Sequence, residues 1–190
     1  MHNNLPKRYY FISSYNKANI IKQNKDTAII YRNYKDIINK KEILKIKTLC
    51  RWKKIKFLIS NEPKIAISLN LDGLYIPSFN SGFEHLNYEY RQKFLILGSA
   101  HNVKEIRNKE IQKVQLIFLS SLFKKNRNFL GLIKFNNLSN LTKKKCIALG
   151  GISSKNIRQL KLINSIGFAG ISFFEKKRPL KRGPFYNFDL

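Results

Sequence analysis

The sequence predicts an α/β protein, a compact (β/α)8 TIM barrel with shortened helices. Three observations lead there. Eight short runs rich in β-branched and aromatic residues recur at intervals of roughly 17 to 31 residues, the room that crossovers between parallel strands require. Stretches of helical period lie between them. The third, fifth, sixth and seventh runs are apolar on both faces, as strands covered on both sides must be. At 190 residues the chain is shorter than the roughly 200 at which such barrels usually begin. The helices after the first and third strands and at the C-terminus must therefore be brief. A six-stranded open α/β sheet is the alternative.

The elements follow in order. Tyr9–Ser13 is the first strand, followed by a polar segment around Asn16–Asn24. Thr27–Arg32 is the second; Ile37, Ile38, Ile43, Leu44 and Ile46 then alternate with lysines as on an amphipathic helix, with Trp52 packed at its end. Ile55–Ser60 is the third, and Pro63 in Asn61–Glu62–Pro63 suits a first helical turn. Gly73–Ile76 precedes a helix near Phe83–Gln92, with His85 on the surface. Phe94–Leu97 leads into Gly98–Ser99–Ala100–His101, where Asn102 and Glu105 have the spacing of a capping box. Leu116–Leu119 is the sixth strand, and residues 122–144 contain at least one helix. Cys146–Leu149 runs into Gly150–Gly151–Ile152, after which Ser153 or Ser154 is placed to cap a helix carrying Ile157, Leu160, Leu162 and Ile163. Phe168–Ser172 is the eighth strand. The barrel domain is expected over residues 1–175, with a basic C-terminal tail over 176–190.

Composition narrows the function classes. With 43% hydrophobic residues the chain can bury a core, and no apolar run approaches the roughly 18 residues that cross a bilayer. Cys50 and Cys146 make neither a disulfide framework nor a zinc set; both read as buried, inert thiols. The expectation is a soluble, cytoplasmic protein with no membrane partner. The formal net charge of +26 attracts anions of any kind. It comes mostly from 28 Lys against 9 Arg, beside 21 Asn and 25 Ile, residues that A/T-rich codons encode. The lysines are spread over the whole chain, whereas a nucleic-acid surface concentrates its cations. Nonspecific association with nucleic acid through lysine is therefore only a third reading.

Chemistry in such a barrel sits at the C-terminal ends of the strands. The candidates there are Ser13, Arg32, Asn61 with Glu62, Ser99 with His101, Ser120 with Ser121, Gly150 with Gly151, and Ser172. One clear carboxylate among many donors suits the binding of an anion better than hydrolysis by paired acids. Gly150 and Gly151 would let backbone N–H groups approach a phosphate at a helix N-terminus, although a plain tight turn needs glycine too. Arg32 is the one arginine at a strand end and the best anion contact. His101 is either a general acid/base or a hydrogen-bonding residue beside Ser99.

These motifs carry a resemblance. Ile147–Ile152, Asn156 and Gly167–Ser172 resemble the seventh and eighth units of thiamine-phosphate synthases and their TenI-like relatives. Asp72–Gly73–Leu74–Tyr75–Ile76 is similar to the Asp-Gly-Val-His-Leu fourth strand of that family, and Ser99–Ala100–His101 with Glu105 to its Ser-Ala-His motif and following helix. Ile30–Tyr31–Arg32 and Ser60–Asn61–Glu62 resemble its second and third strand ends. The resemblance implies a transferase of thiamine biosynthesis that joins hydroxymethylpyrimidine diphosphate to thiazole phosphate and releases pyrophosphate, assisted by Mg²⁺. Arg32, Asn61 and Ser99 would contact the diphosphate. Gly150, Gly151 and the backbone at Ile171–Ser172 would hold the thiazole phosphate, with Arg32, Ser99 and His101 nearest the chemistry and Glu62 as a metal ligand. The chain also departs from the pattern. In the second-strand motif Gln-x-Arg-x-Lys, Ile30 and Tyr34 replace the Gln and the Lys. Asn80 stands where an acid is usual, and Ser120–Arg127 replaces the Gly-Pro…Thr-x-Thr-Lys loop. Lys35, Lys124 and Lys125 are the cations that could compensate. A divergent synthase is thus expected, and the alternative is a relative that binds a thiamine-related phosphate or a partner protein without turnover.

Overall fold

A computed structural model describes residues 5–175. Eight parallel strands close in sequence order, with β1 (Arg8–Ile12) beside β2 (Thr27–Tyr31), β3 (Lys56–Ser60), β4 (Gly73–Ile76), β5 (Leu95–Ala100), β6 (Leu116–Ser120), β7 (Lys145–Leu149) and β8 (Gly167–Gly170) following in turn. The pairings Arg8↔Phe168 and Tyr10↔Gly170 join β8 back to β1 and leave no edge. The open six-stranded sheet is thereby excluded. The expected tail over 176–190 lies outside the described residues.

Strand alternation divides the apolar residues into two cores. Tyr9, Phe11, Ala28, Ile30, Leu58, Tyr75, Leu97, Phe118, Ile147 and Ala169 fill the barrel. Tyr10, Ile29, Phe57, Ile59, Leu74, Ile117, Cys146 and Phe168 face outward beneath the helices. Inside, Phe118 is the hub: its ring lies 4.9 Å from Tyr9, 5.4 Å from Tyr75 and 6.1 Å from Phe11, all edge-on. Such edge-to-face pairs add about 0.5–1.5 kcal/mol each beyond the burial of their area.

The helices are as short as the chain length requires. Helix α1 (Lys17–Ile21) is one turn, opened by Asn16, whose side chain accepts from Asn19 N. The longest, α2 (Lys40–Trp52), is opened by Asn39 and buries Ile43, Ile46 and Cys50. Ile37 precedes it and is 98% exposed, and Trp52 is 70% exposed, so neither packs as the sequence pattern suggested. Helix α3 (Pro63–Ser68) starts on its proline. Helix α4 (Val103–Ile111) has the expected box, with Asn102 Oδ1 accepting from Glu105 N and Asn102 Nδ2 donating to Glu105 Oε1. Helix α5 (Gly131–Asn140) supplies the one expected within 122–144, and α6 (Ser172–Glu175) closes the described chain.

Two expected α-helices are instead single 3-10 segments. Over 83–92 only Glu84–Asn87 is helical. His85 there is buried rather than on the surface, its Nε2 2.9 Å from Gln112 O. After β7, neither Ser153 nor Ser154 caps a helix. Asn156 Oδ1 accepts from Ser153 N and Asn156 Nδ2 donates to Gly151 O, closing a turn before a 3-10 helix at Ile157–Leu162.

Candidate functional site

Alternation also selects which polar residues reach the C-terminal mouth. Phe11, Ser60, Tyr75, Ser99 and Ser120 continue the inward-facing rows, and Arg32 follows Ile30 by two, so its side chain enters the mouth. The Arg32 guanidinium sits 4.7 Å from the centre of the Phe11 ring, a cation–π contact. Its backbone N donates to Ile12 O at 2.7 Å, tying the end of β2 to β1. No carboxylate lies within ion-pair distance of Arg32 among the described residues.

Around this cation lies a ring of hydroxyls. Tyr75 is fully buried, and burial pushes its phenol far above the ordinary value, against a hydrogen bond with Ser99 and the charge of Arg32. The proton stays on Tyr75, so the group offers a donor to an anion at any physiological pH. Tyr34 Oη is 2.6 Å from Ser60 Oγ, and its ring meets Phe79 edge-on at 5.3 Å. Tyr34, which the sequence motif sets against a lysine, bonds across to the end of β3. In the sequence Tyr34 stands as the replacement of a lysine and Ser60 and Tyr75 as parts of strand motifs, with none of the three assigned to the site. The phase of alternation, once fixed by Leu58 and Leu97, is the signal that finds Ser60 and Tyr75.

The next sector joins Asn61 and Asn80. Asn61 turns in a left-handed conformation (φ 63°) and its N donates to Tyr75 O. Its side-chain oxygen accepts from Asn80 Nδ2 at 2.5 Å. Asn80 Oδ1 accepts from Gly82 N, which fixes the orientation of the amide. From behind, the backbone O of Asn80 accepts from Lys109 Nζ at 2.8 Å and Gln112 Nε2 at 3.1 Å. Lys109 is 0% exposed, its stem lying against Gly98 and its ammonium also donating to Gln112 Oε1. Burial lowers its pKa to about 8. Beside this pair, the Glu62 carboxyl caps no helix, and partial burial raises its pKa.

His101 is paired with Glu105. Its Nδ1 and its backbone N both meet Glu105 Oε2, at 2.9 and 2.7 Å, so the ring belongs to the capping box. Lys35 is exposed in a turn closed by Asn33, and Lys124 and Lys125 are exposed on the loop after β6. That loop bears on the glycine pair: Phe123 N donates to Gly150 O, and Ser121 Oγ to Lys124 O. Gly150 and Gly151 adopt φ of 102° and 75°, and a Cβ on Gly151 would come within 2.6 Å of Lys124 N. Only glycine fits both demands. Ile171 and Arg32 share a cavity of about 140 Å³ with Tyr10, Ser13, Asn19 and Glu175, while Tyr10 Oη donates to Glu175 Oε1. Ser172 begins α6 and is exposed. The thiols at Cys50 and Cys146 are buried and pushed up to about 12, which makes them inert.

The class is defined by these features: a small (β/α)8 barrel whose C-terminal mouth is polar, rich in hydroxyls and centred on a guanidinium. Comparison with known proteins gives the family. The family model described as thiamine monophosphate synthase matches residues 16–174, and the chain belongs to that family. A thiamine-phosphate synthase from Pelagibacter ubique is 26% identical, over 94% of this chain and 96% of its own. One from Fusobacterium nucleatum is 25% identical over 75% and 71%. Among solved structures, thiamine phosphate pyrophosphorylase from Pyrococcus furiosus superposes with a TM-score of 0.74 at 19% identity, covering 90% of this chain and 87% of that one. That likeness shows a shared barrel. No helix among the described residues is long and apolar enough to cross a membrane.

Proposed function

We propose that this chain is a divergent thiamine-phosphate synthase, joining hydroxymethylpyrimidine diphosphate to thiazole phosphate. The observation that carries the reading is Arg32: half-buried, oriented by Phe11 and without an acidic partner among the described residues. A guanidinium kept in this state has an anion as its natural complement. In the reaction the bond between the pyrimidine methylene and the diphosphate oxygen breaks, its electron pair leaving on pyrophosphate. The thiazole nitrogen supplies the pair for the new bond to that carbon. Arg32 takes up the charge that grows on the leaving oxygen, and Ser99, Tyr75 and Asn61 add donors. Preorganised donors of this kind lower the barrier without a protein nucleophile. Gly150, Gly151 and the backbone at Ile171–Ser172 hold the thiazole phosphate, and Phe11 and Tyr75 give the rings an aromatic floor.

The alternative, binding of a thiamine-related phosphate or a protein without turnover, is favoured by one observation: Tyr34 is engaged with Ser60 where the family pattern has a cation. A turnover assay separates the two. Purified protein is given both substrates, with Mg²⁺ and separately with EDTA, and thiamine phosphate is followed. Product above the no-enzyme control, reduced about tenfold or more in Arg32→Gln, supports the synthase. No product from folded protein that still binds thiazole phosphate supports the alternative.

A further inference from the structure

The Asn61–Asn80 sector is the place where the family pattern puts acidic ligands for Mg²⁺, and its hydrogen bonds are already committed. Both oxygens of Asn80 are taken by donors, Oδ1 by Gly82 N and the carbonyl by Lys109 Nζ and Gln112 Nε2. The Asn80 amide nitrogen points at Asn61 Oδ1. An amide N–H₂ thus stands where an acidic ligand would present an oxygen, with the Lys109 ammonium bonded behind it. Glu62 is the one carboxylate left of the expected pair. Among the described residues no three His, Cys, Asp or Glu side chains come together. Mg²⁺ demands six oxygens in near-octahedral array and sheds water reluctantly. This donor set does not fit it.

We infer that the mouth takes the diphosphate group without a divalent cation, Arg32 supplying the fixed positive charge and Tyr75 and Ser99 the donors. The inference deepens the proposed function, since it rests on the same anion position. Part of the charge is met by a guanidinium already in place, and the buried Lys109 bonds to the Asn80 carbonyl that would otherwise be open to a metal.

The test is calorimetric titration of inorganic pyrophosphate into the full chain, in EDTA and in Mg²⁺. The expected result is saturable binding in EDTA, with affinity in Mg²⁺ equal or weaker because the metal competes for free pyrophosphate. Arg32→Gln should lose about tenfold or more in EDTA, and Arg32→Lys should recover part of it. Binding that tightens tenfold or more with Mg²⁺ overturns the inference. So does an absence of binding in either buffer, or affinity unchanged in folded Arg32→Gln, which would put the anion elsewhere. The turnover assay keeps the two readings apart. Thiamine phosphate formed only with Mg²⁺ removes this inference and leaves the synthase standing. Pyrophosphate bound in EDTA at Arg32, with no product under any condition, keeps the inference and removes the synthase.

Discussion

Replacing Phe118 by alanine is the most demanding test of how the site is supported. The ring is 0% exposed at the centre of the barrel, against Tyr9, Phe11 and Tyr75 from β1 and β4. Large-to-small changes of this kind cost about 3–5 kcal/mol, more where the surroundings cannot collapse. Here they cannot, because the three partner rings hang from strands locked by ladder pairing on both sides. Three lost edge-to-face contacts put the expectation in the upper part of that range, about 4–5 kcal/mol. A domain stable by about 5–15 kcal/mol would lose a third or more of its margin. In urea, with a slope of about 2 kcal/mol/M, the midpoint should fall by about 2 M. Phe118→Leu refills most of the volume and should lose less than half as much. Because Phe11 lies between Phe118 and Arg32, pyrophosphate binding should weaken along with stability in the alanine variant. A midpoint lowered by less than about 0.5 M would refute the claim that this ring is what closes the barrel beneath the site.

Two further outcomes follow from the same geometry. Gly151→Ala places a Cβ 2.6 Å from Lys124 N at a φ of 75°. The left-handed conformation alone costs about 1–2 kcal/mol, and the clash is with backbone, so the loop after β6 must move. Thermal denaturation should show the loss, and thiazole phosphate binding should fall with it; a stable variant with unchanged binding would show that the loop's position is immaterial. The second outcome concerns pH. Lys109 has its pKa lowered to about 8, against about 10.4 in an unfolded chain. Below pH 8 both states are protonated and the burial penalty on the charge is fully present. Between pH 8 and the unfolded value the folded state sheds its proton first, so this group's contribution to stability rises with pH. From pH 7 to 9 the gain is on the order of 1 kcal/mol. Denaturation of wild type and Lys109→Met at both pH values should give a difference of that sign, and equal pH dependence would mean that Lys109 is not held as a buried ammonium.

The strands were legible because parallel strands buried on both faces leave continuous apolar runs, and Leu116–Leu119 or Cys146–Leu149 cannot be read as anything solvent-facing. The missed elements are those set by distant partners. The stretch 157–163 has helical period, yet Asn136 on α5 donates to Leu162 O and accepts from Asn164 N. These two side-chain bonds, 26 and 28 residues away in sequence, hold the segment to a 3-10 path. Over 83–92 the apolar residues do not cohere into a face: Phe83 is 44% exposed and Leu86 37%. Lys109 was hidden for a related reason. Four residues after Glu105 on a helix, it reads as half of a solvated pair, and what buries it is the missing side chain of Gly98 on the neighbouring strand. His85 was misread in the same way, since its partner is the carbonyl of Gln112. Local pattern carries period and capping; it does not carry which side chain a remote glycine or carbonyl will draw inward.

The same distinction decides what the charge of the chain means. Its +26 comes mostly from lysines, most of which are exposed among the described residues, and at physiological salt each acts over about 8 Å. Such charges raise the local concentration of any anion and choose none. Arg32 differs by environment. It is half-buried above Phe11, lies near the protonated Tyr75 and, among the described residues, has no carboxylate at ion-pair distance. Partial burial lowers the effective dielectric there, so an anion bound at Arg32 gains more than one bound at a surface lysine and is screened less by salt. On the proposed function, the specificity of the mouth would rest on Arg32 made effective by its neighbours, with the lysine-rich surface as the field through which an anionic substrate approaches it.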